Sequence, residues 1–67
     1  MPFILTTNSD ASYDKIVEKL ISKGIYFCKE FNGENISLEI NGNSQDYQDF
    51  KSMIDNGIII AYLEEAI

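Results

Sequence analysis

Apolar residues recur along this chain at two spacings. Between positions 11 and 23, Tyr13, Ile16, Val17, Leu20 and Ile21 follow the i, i+3, i+4, i+7, i+8 stripe of an amphipathic helix. Asn8, Ser9 or Asp10 can cap its start, and Gly24 suits the left-handed residue past its end. Between 44 and 55, Tyr47, Phe50, Met53 and Ile54 repeat the helical spacing. Ser44 is its candidate cap, Asp46 and Asp49 suit its first turns, and Asn56-Gly57 closes it. Elsewhere the period is two. Ile36, Leu38 and Ile40 alternate with Ser37, Glu39 and Asn41, while Ile25, Phe27 and Phe31 share a face with Lys29. Phe3 to Thr7 is short, apolar and β-prone. Ile58 to Leu63 is a continuous apolar run opening on three β-branched residues, which favours a strand.

Asn32-Gly33 separates the two alternating segments and reads as the loop of a type I′ hairpin, whose central residues both need positive φ. That loop sets Phe27 opposite Leu38 and Ile25 opposite Ile40, apolar against apolar. The prediction is one α+β domain over 1–67, with strands at 3–7, 25–31, 36–41 and 58–63 and helices at 11–23 and 44–55. Short connections and right-handed crossovers make this a βαββαβ split β-α-β (ferredoxin-like) two-layer sandwich: a four-stranded antiparallel sheet with two helices on one face. The alternative is a hairpin-centred sheet whose last segment leaves the sheet or is partly helical from Tyr62 to Ile67. The predicted core is Leu5, Ile16, Val17, Leu20, Phe27, Leu38, Ile40, Phe50, Ile54 and Ile60.

The last strand is an edge with two apolar faces. Ile58, Ile60 and Tyr62 are expected toward the helices, and Ile59, Ala61 and Leu63 on the open face. Natural proteins cover or use such an edge. Tyr26, Ile59 and Leu63 are therefore candidates for an apolar partner or dimer surface, unless Phe3 or Ile4 and the C-terminal tail cover it.

Composition narrows the chemistry. The chain has 67 residues, 45% hydrophobic, which is enough for a folded core. It has no His and no Arg, so it lacks the usual general base, the commonest zinc ligand and the preferred phosphate fork. Cys28 stands alone, so it forms no internal disulfide. It fits a reducing cytoplasm as a small, half-buried hydrophobe. No apolar run reaches the ~20 residues that span a bilayer, and Met1 to Leu5 lacks the basic start of a signal peptide. The expected location is bacterial or host cytoplasm, without membrane contact.

The pairs Asp46/Asp49 and Glu64/Glu65 have no nucleophile, metal-ligand set or apolar pocket beside them. Asp46-Tyr47-Gln48-Asp49 lacks the glycine and terminal glutamate of a calcium loop. Asn41 to Ser44 reads as a turn and cap rather than an anion site. Thr7 to Asp10 has no glycine for the ligand loop of small amino-acid sensors. No catalytic residue, metal or cofactor is expected, and no enzyme activity. The open face should carry Tyr26, Cys28, Glu30, Ser37 and Glu39. One aromatic and two acids with no Arg argue against direct nucleic-acid binding.

Charge is the feature left to explain. The net charge is −6 and the pI about 4.2. Residues 30–67 hold eight of the eleven acids and a single lysine, Lys51. One reading is solubility. The other is complementarity to a basic partner. It selects Glu30, Glu34, Glu39, Asp46 and Asp49 as contacts to a larger, basic-surfaced, nucleic-acid-binding protein, with carboxylates standing where phosphates bind.

In size, acidity, Ile/Asn/Lys-rich composition and lack of Arg, the chain resembles small inhibitors encoded by AT-rich phages and mobile elements. These include anti-CRISPR and anti-restriction proteins and inhibitors of host DNA enzymes. The resemblance implies a viral nucleic-acid mimic that inhibits by occupying a larger protein's surface. The alternative function is a homodimeric structural or accessory module joined through its apolar C-terminal strand.

Overall fold

The computed structural model describes residues 2–65. The elements are β1 (Pro2–Thr7), α1 (Asp10–Lys23), β2 (Tyr26–Asn32), β3 (Asn35–Asn41), α2 (Ser44–Asp55) and β4 (Tyr62–Glu65). This is an α+β fold: two helices and a four-stranded, wholly antiparallel open sheet in the order β2-β3-β1-β4. No helix among the described residues is long and apolar enough to cross a membrane.

Local chemistry explains the helix ends. Ser9 caps α1, its Oγ accepting the Ser12 amide at 3.1 Å. Gly24 closes α1 in the left-handed conformation, φ 67°, and the Ile25 amide then returns to the Leu20 carbonyl. The cap of α2 is Asn43, one residue before the expected Ser44. Asn43 Oδ1 accepts the Asp46 amide at 2.8 Å, and Asp46 Oδ2 accepts the Asn43 amide at 3.0 Å. This reciprocal box requires an acid three residues after the cap, a spacing that Asn43–Asp46 satisfies.

The hairpin turns one residue later than expected. Only Gly33 has positive φ, 63°, which is the type II′ pattern with glycine at the first central position. Asn32 stays in the ladder opposite Asn35, leaving Gly33-Glu34 as the loop, and Phe27 pairs with Ile40 rather than Leu38. The slip is two residues on the partner strand, so each side chain keeps its face.

Phe3 and Leu5 of β1 and Leu38 and Ile40 of β3 are buried with Ile16 and Leu20 of α1, Phe50 of α2, and Ile59. Phe3 meets Tyr47 edge-on and Phe50 at a tilt, at centroid distances of 5.6 and 6.0 Å, which seats α2 over β1. Phe3 was not in the predicted core. Val17, Phe27 and Ile54 pack against the core but are only half-buried.

The C-terminal run departs most from expectation. Ile58 to Ala61 is not strand, and β4 begins only at Tyr62. The facing is also inverted. Ile59, expected on the open face, is 2% exposed in the core, and Ile60, expected in the core, is 72% exposed. Leu63 pairs with the core residue Leu5 and so faces the helices, half-buried. Backbone bonds explain the inversion. The Ile58 and Ile59 amides return to the Met53 carbonyl, which extends the exit of α2. The Ile60 amide donates to Ser12 Oγ at 2.8 Å, and the Ile60 carbonyl accepts Thr7 Oγ1 at 2.7 Å. With Ile60's backbone clasped by two buried hydroxyls, its side chain turns outward and Ile59 drops into the core. The expected tail beyond Glu65 lies outside the described residues.

Candidate functional site

The open face of the sheet is a grid fixed by register. One row across it runs Cys28, Glu39, Ile4, Glu64, and the next runs Glu30, Ser37, Thr6, Tyr62. Tyr26, Asn41 and Pro2 form the end row. Thr6 Oγ1 and Ser37 Oγ lie 3.4 Å apart in the middle. Tyr26 and Tyr62, 73% and 66% exposed, stand on the two edge strands. Pro2, Tyr26, Cys28, Glu39 and Asn41 line a concavity of about 300 Å³. This face carries Tyr26, Cys28, Glu30, Ser37 and Glu39 as the alternation implies, but Cys28 is exposed, not half-buried.

Glu30, Glu39 and Glu64 are the charges of this face, all exposed. No lysine shares it. Lys15, Lys19 and Lys23 lie on α1, Lys51 on α2, and Lys29 on the helix-facing side of β2, where its Nζ donates to the Tyr13 hydroxyl at 3.2 Å. Glu39 and Glu64 flank Ile4 in one row, two strand spacings apart, or ~10 Å. That separation exceeds the ~8 Å screening length at physiological salt, so the carboxylates coexist with little mutual cost.

The five acids expected to act together are divided between two sides. Glu30 and Glu39 are on the open face, and Glu34 is in the hairpin turn at its end. Asp46 and Asp49 are on α2 and already engaged. Lys23 Nζ lies 2.7 Å from Asp49 and 3.9 Å from Asp46, tying α1 to α2. Asp49 also accepts Gln45 Nε2 at 3.0 Å. The Lys23 hydrogen bond, helped by Gln45, holds the Asp49 carboxyl below the usual carboxylate range. The same bond raises Lys23 above the usual lysine value, against some desolvation. Asp46 and Asp49 thus serve the helix pair, and Asp46 the α2 cap. Of the apolar candidates, Tyr26 is on the open face, whereas Ile59 and Leu63 have turned inward.

Tyr62 and Glu64 belong to the open face and were not expected there. They could have been found only by knowing the parity of β4, and an unbroken apolar run carries no parity. Among the described residues, no group of three or more His, Cys, Asp and Glu is arranged to hold a metal. Compared with known proteins, the chain matches no family model, no curated protein and no solved structure at a significant level.

Proposed function

We propose that this protein is a small acidic binding protein whose open sheet face occupies a basic surface on a larger, nucleic-acid-handling protein and thereby inhibits it. We further read the order β4-β1-β3-β2, with helices between β1 and β2 and between β3 and β4, as the split β-α-β (ferredoxin-like) arrangement.

The observation that carries the functional reading is segregation of charge. Glu30, Glu39 and Glu64 share a face that holds no lysine, while all five lysines lie on the helices or point toward them. A surface meant only for solubility has no need to separate signs, and mixed charge serves it better. Separated acids steer a basic partner and select its orientation. The two tyrosines supply flat rings for partner lysines or arginines, and Ile4 supplies apolar ground between Glu39 and Glu64. Glu34 extends the negative rim at the hairpin. Asp46 and Asp49 are left out of the contact because Lys23 and the α2 cap hold them. A dimer through the C-terminal strand is less favoured, because Ile59 and Leu63 no longer face outward.

The experiment is competition. Proteins captured from a bacterial lysate by the wild-type chain, but not by the Glu30→Lys, Glu39→Lys, Glu64→Lys variant, are tested for release of bound oligonucleotide on adding the chain. Displacement by wild type and not by the variant supports occlusion. A captured protein that holds its oligonucleotide unchanged contradicts it.

A further inference from the structure

The sheet has two free edges, and they differ. β4 is four residues long and ends in Glu64-Glu65. β2 is seven residues long, and all of its residues but the half-buried Phe27 are exposed. A type II′ turn bonds its first residue to its fourth, so Asn32–Asn35 is a bonded pair. Antiparallel bonding then alternates back along β2, which leaves the backbone groups of Phe27, Lys29 and Phe31 turned outward. An edge of this length is a template for another strand.

We propose that a second copy of this chain pairs its β2 against this β2, antiparallel about a twofold axis through Cys28, extending the sheet to eight strands. Charge selects the register. Three registers pair most of β2 while keeping helix-facing residues against helix-facing residues. One centred on Lys29 sets Lys29 against its own copy, and one centred on Glu30 sets Glu30 against its own copy. Like charges directly opposed are unfavourable. The register centred on Cys28 opposes no like charges. It sets Glu30 against Tyr26, where a phenol can donate to a carboxylate. It sets Lys29 against Phe27, and Phe31 against Ile25.

The helix-facing side supplies the apolar cover such a contact needs. Lys29 Nζ reaches the Tyr13 hydroxyl, so that side of α1 borders the β2 edge. Val17 and Ile21 follow Tyr13 at i+4 and i+8 on the same side. Ile21 and Phe31, both exposed, lie toward the free edge, and the pairing covers Phe31 of each copy with Ile25 of the other. The lysine in the middle of β2 does not block the edge, because its ammonium is drawn back over Phe31 and Tyr13, 5.9 Å from each ring centre. The pairing rests on the edge backbone and does not depend on what the open face binds, although Tyr26 and Glu30 of that face meet across the seam. It joins two open faces into one continuous surface.

Cys28 is the built-in probe. At the centre of the register it forms a non-hydrogen-bonded pair with its copy, with Cα atoms about 4.5 Å apart, within the ~4.4–6.8 Å that a disulfide spans. The protein, reduced, is studied by sedimentation equilibrium from micromolar to millimolar concentration. It is then oxidised with diamide, which takes up the two electrons and two protons released by the thiols. The expected result is a reversible dimer that oxidation locks through Cys28. The Cys28→Ser, Glu34→Cys variant, whose thiol is also at an exposed position, on the turn, should not lock. Phe31→Lys should dissociate the dimer while its circular dichroism and melting stay native. Lys29→Pro, which removes an outward N–H, provides a second edge variant if needed. A monomer at millimolar concentration overturns the proposal. So does a dimer that locks through position 34 as readily as through 28, or one that survives in a folded edge variant.

Discussion

Leu38 and Glu39 are adjacent on β3 and belong to different worlds. Leu38 is fully buried in the core cluster that includes residues of both helices, whereas Glu39 stands in the open row beside Cys28 and Ile4. The same contrast holds along β1, where Phe3, Leu5 and Thr7 are buried and Pro2, Ile4 and Thr6 face outward. The covered face is determined by packing. On the open face Tyr26, Glu30, Glu39, Tyr62 and Glu64 are exposed and not held by packing, so the uniform sign of its charges calls for a different reason. The contrast separates stability from binding along a single strand, and it can be broken or sharpened one face at a time.

The largest effect belongs to the covered face. Leu38→Ala should cost about 2–5 kcal/mol of unfolding free energy, since a buried leucine is lost to a cavity. Glu39→Ala, one residue on, should stay within about 0.5 kcal/mol of wild type. Urea denaturation of the two variants measures both. Comparable losses would mean that the open face carries structural load.

Next is the clasp that turns Ile59 inward. Ser12→Ala removes the acceptor of the Ile60 amide and should cost about 1–3 kcal/mol, the penalty for an unpaired polar group at a part-buried site. Amide hydrogen exchange at Ile60 should rise sharply in that variant. Asn43→Ala opens the α2 capping box and should cost about 0.5–2 kcal/mol, read as a lower melting temperature.

These sites also show where sequence reading succeeds and stops. Both helices were legible because periodicity and caps are local: Ser9, Gly24 and the Tyr13–Leu20 stripe lie within one segment. The alternations of Tyr26, Cys28 and Glu30 and of Ser37, Glu39 and Asn41 likewise placed about half the open face correctly. The turn shifted by one residue because type I′ and type II′ loops both use glycine, and nothing in Asn32-Gly33-Glu34 says whether Asn32 joins the loop or the ladder. The Ile58–Leu63 run was misread because three consecutive isoleucines have no parity. Its facing is set by hydroxyls of Thr7 and Ser12, 53 and 48 positions from Ile60. Asp46 and Asp49 appeared to be free acids for the same reason: their partner, Lys23, is on the other helix.

The Lys23–Asp49 pair should give the smallest effect, present near neutral pH and lost toward both pH extremes. Asp49's lowered carboxyl stabilises the fold above the ordinary carboxylate value, and this is lost as pH falls through the lowered one. Lys23's raised ammonium stabilises it below the ordinary lysine value, and this is lost as pH rises through the raised one. Lys23→Met should therefore lower the melting temperature slightly near neutral pH, with the difference from wild type shrinking at both ends. The pair is exposed to solvent, so added salt should shrink it too.

The central claim is that position, not net charge, makes the open face a binding surface. Two variants lose the same three charges from different places. Glu30→Gln, Glu39→Gln, Glu64→Gln neutralises the open face, and Asp10→Asn, Asp14→Asn, Glu18→Gln neutralises acids of α1. The decisive measurement is the affinity of each for an immobilised arginine-rich peptide, at low and physiological salt. The account predicts that the open-face variant loses most of the wild-type affinity and its salt dependence, while the α1 variant retains both. Equal losses in the two variants would show that the chain attracts cations only by its overall charge, and would contradict the account.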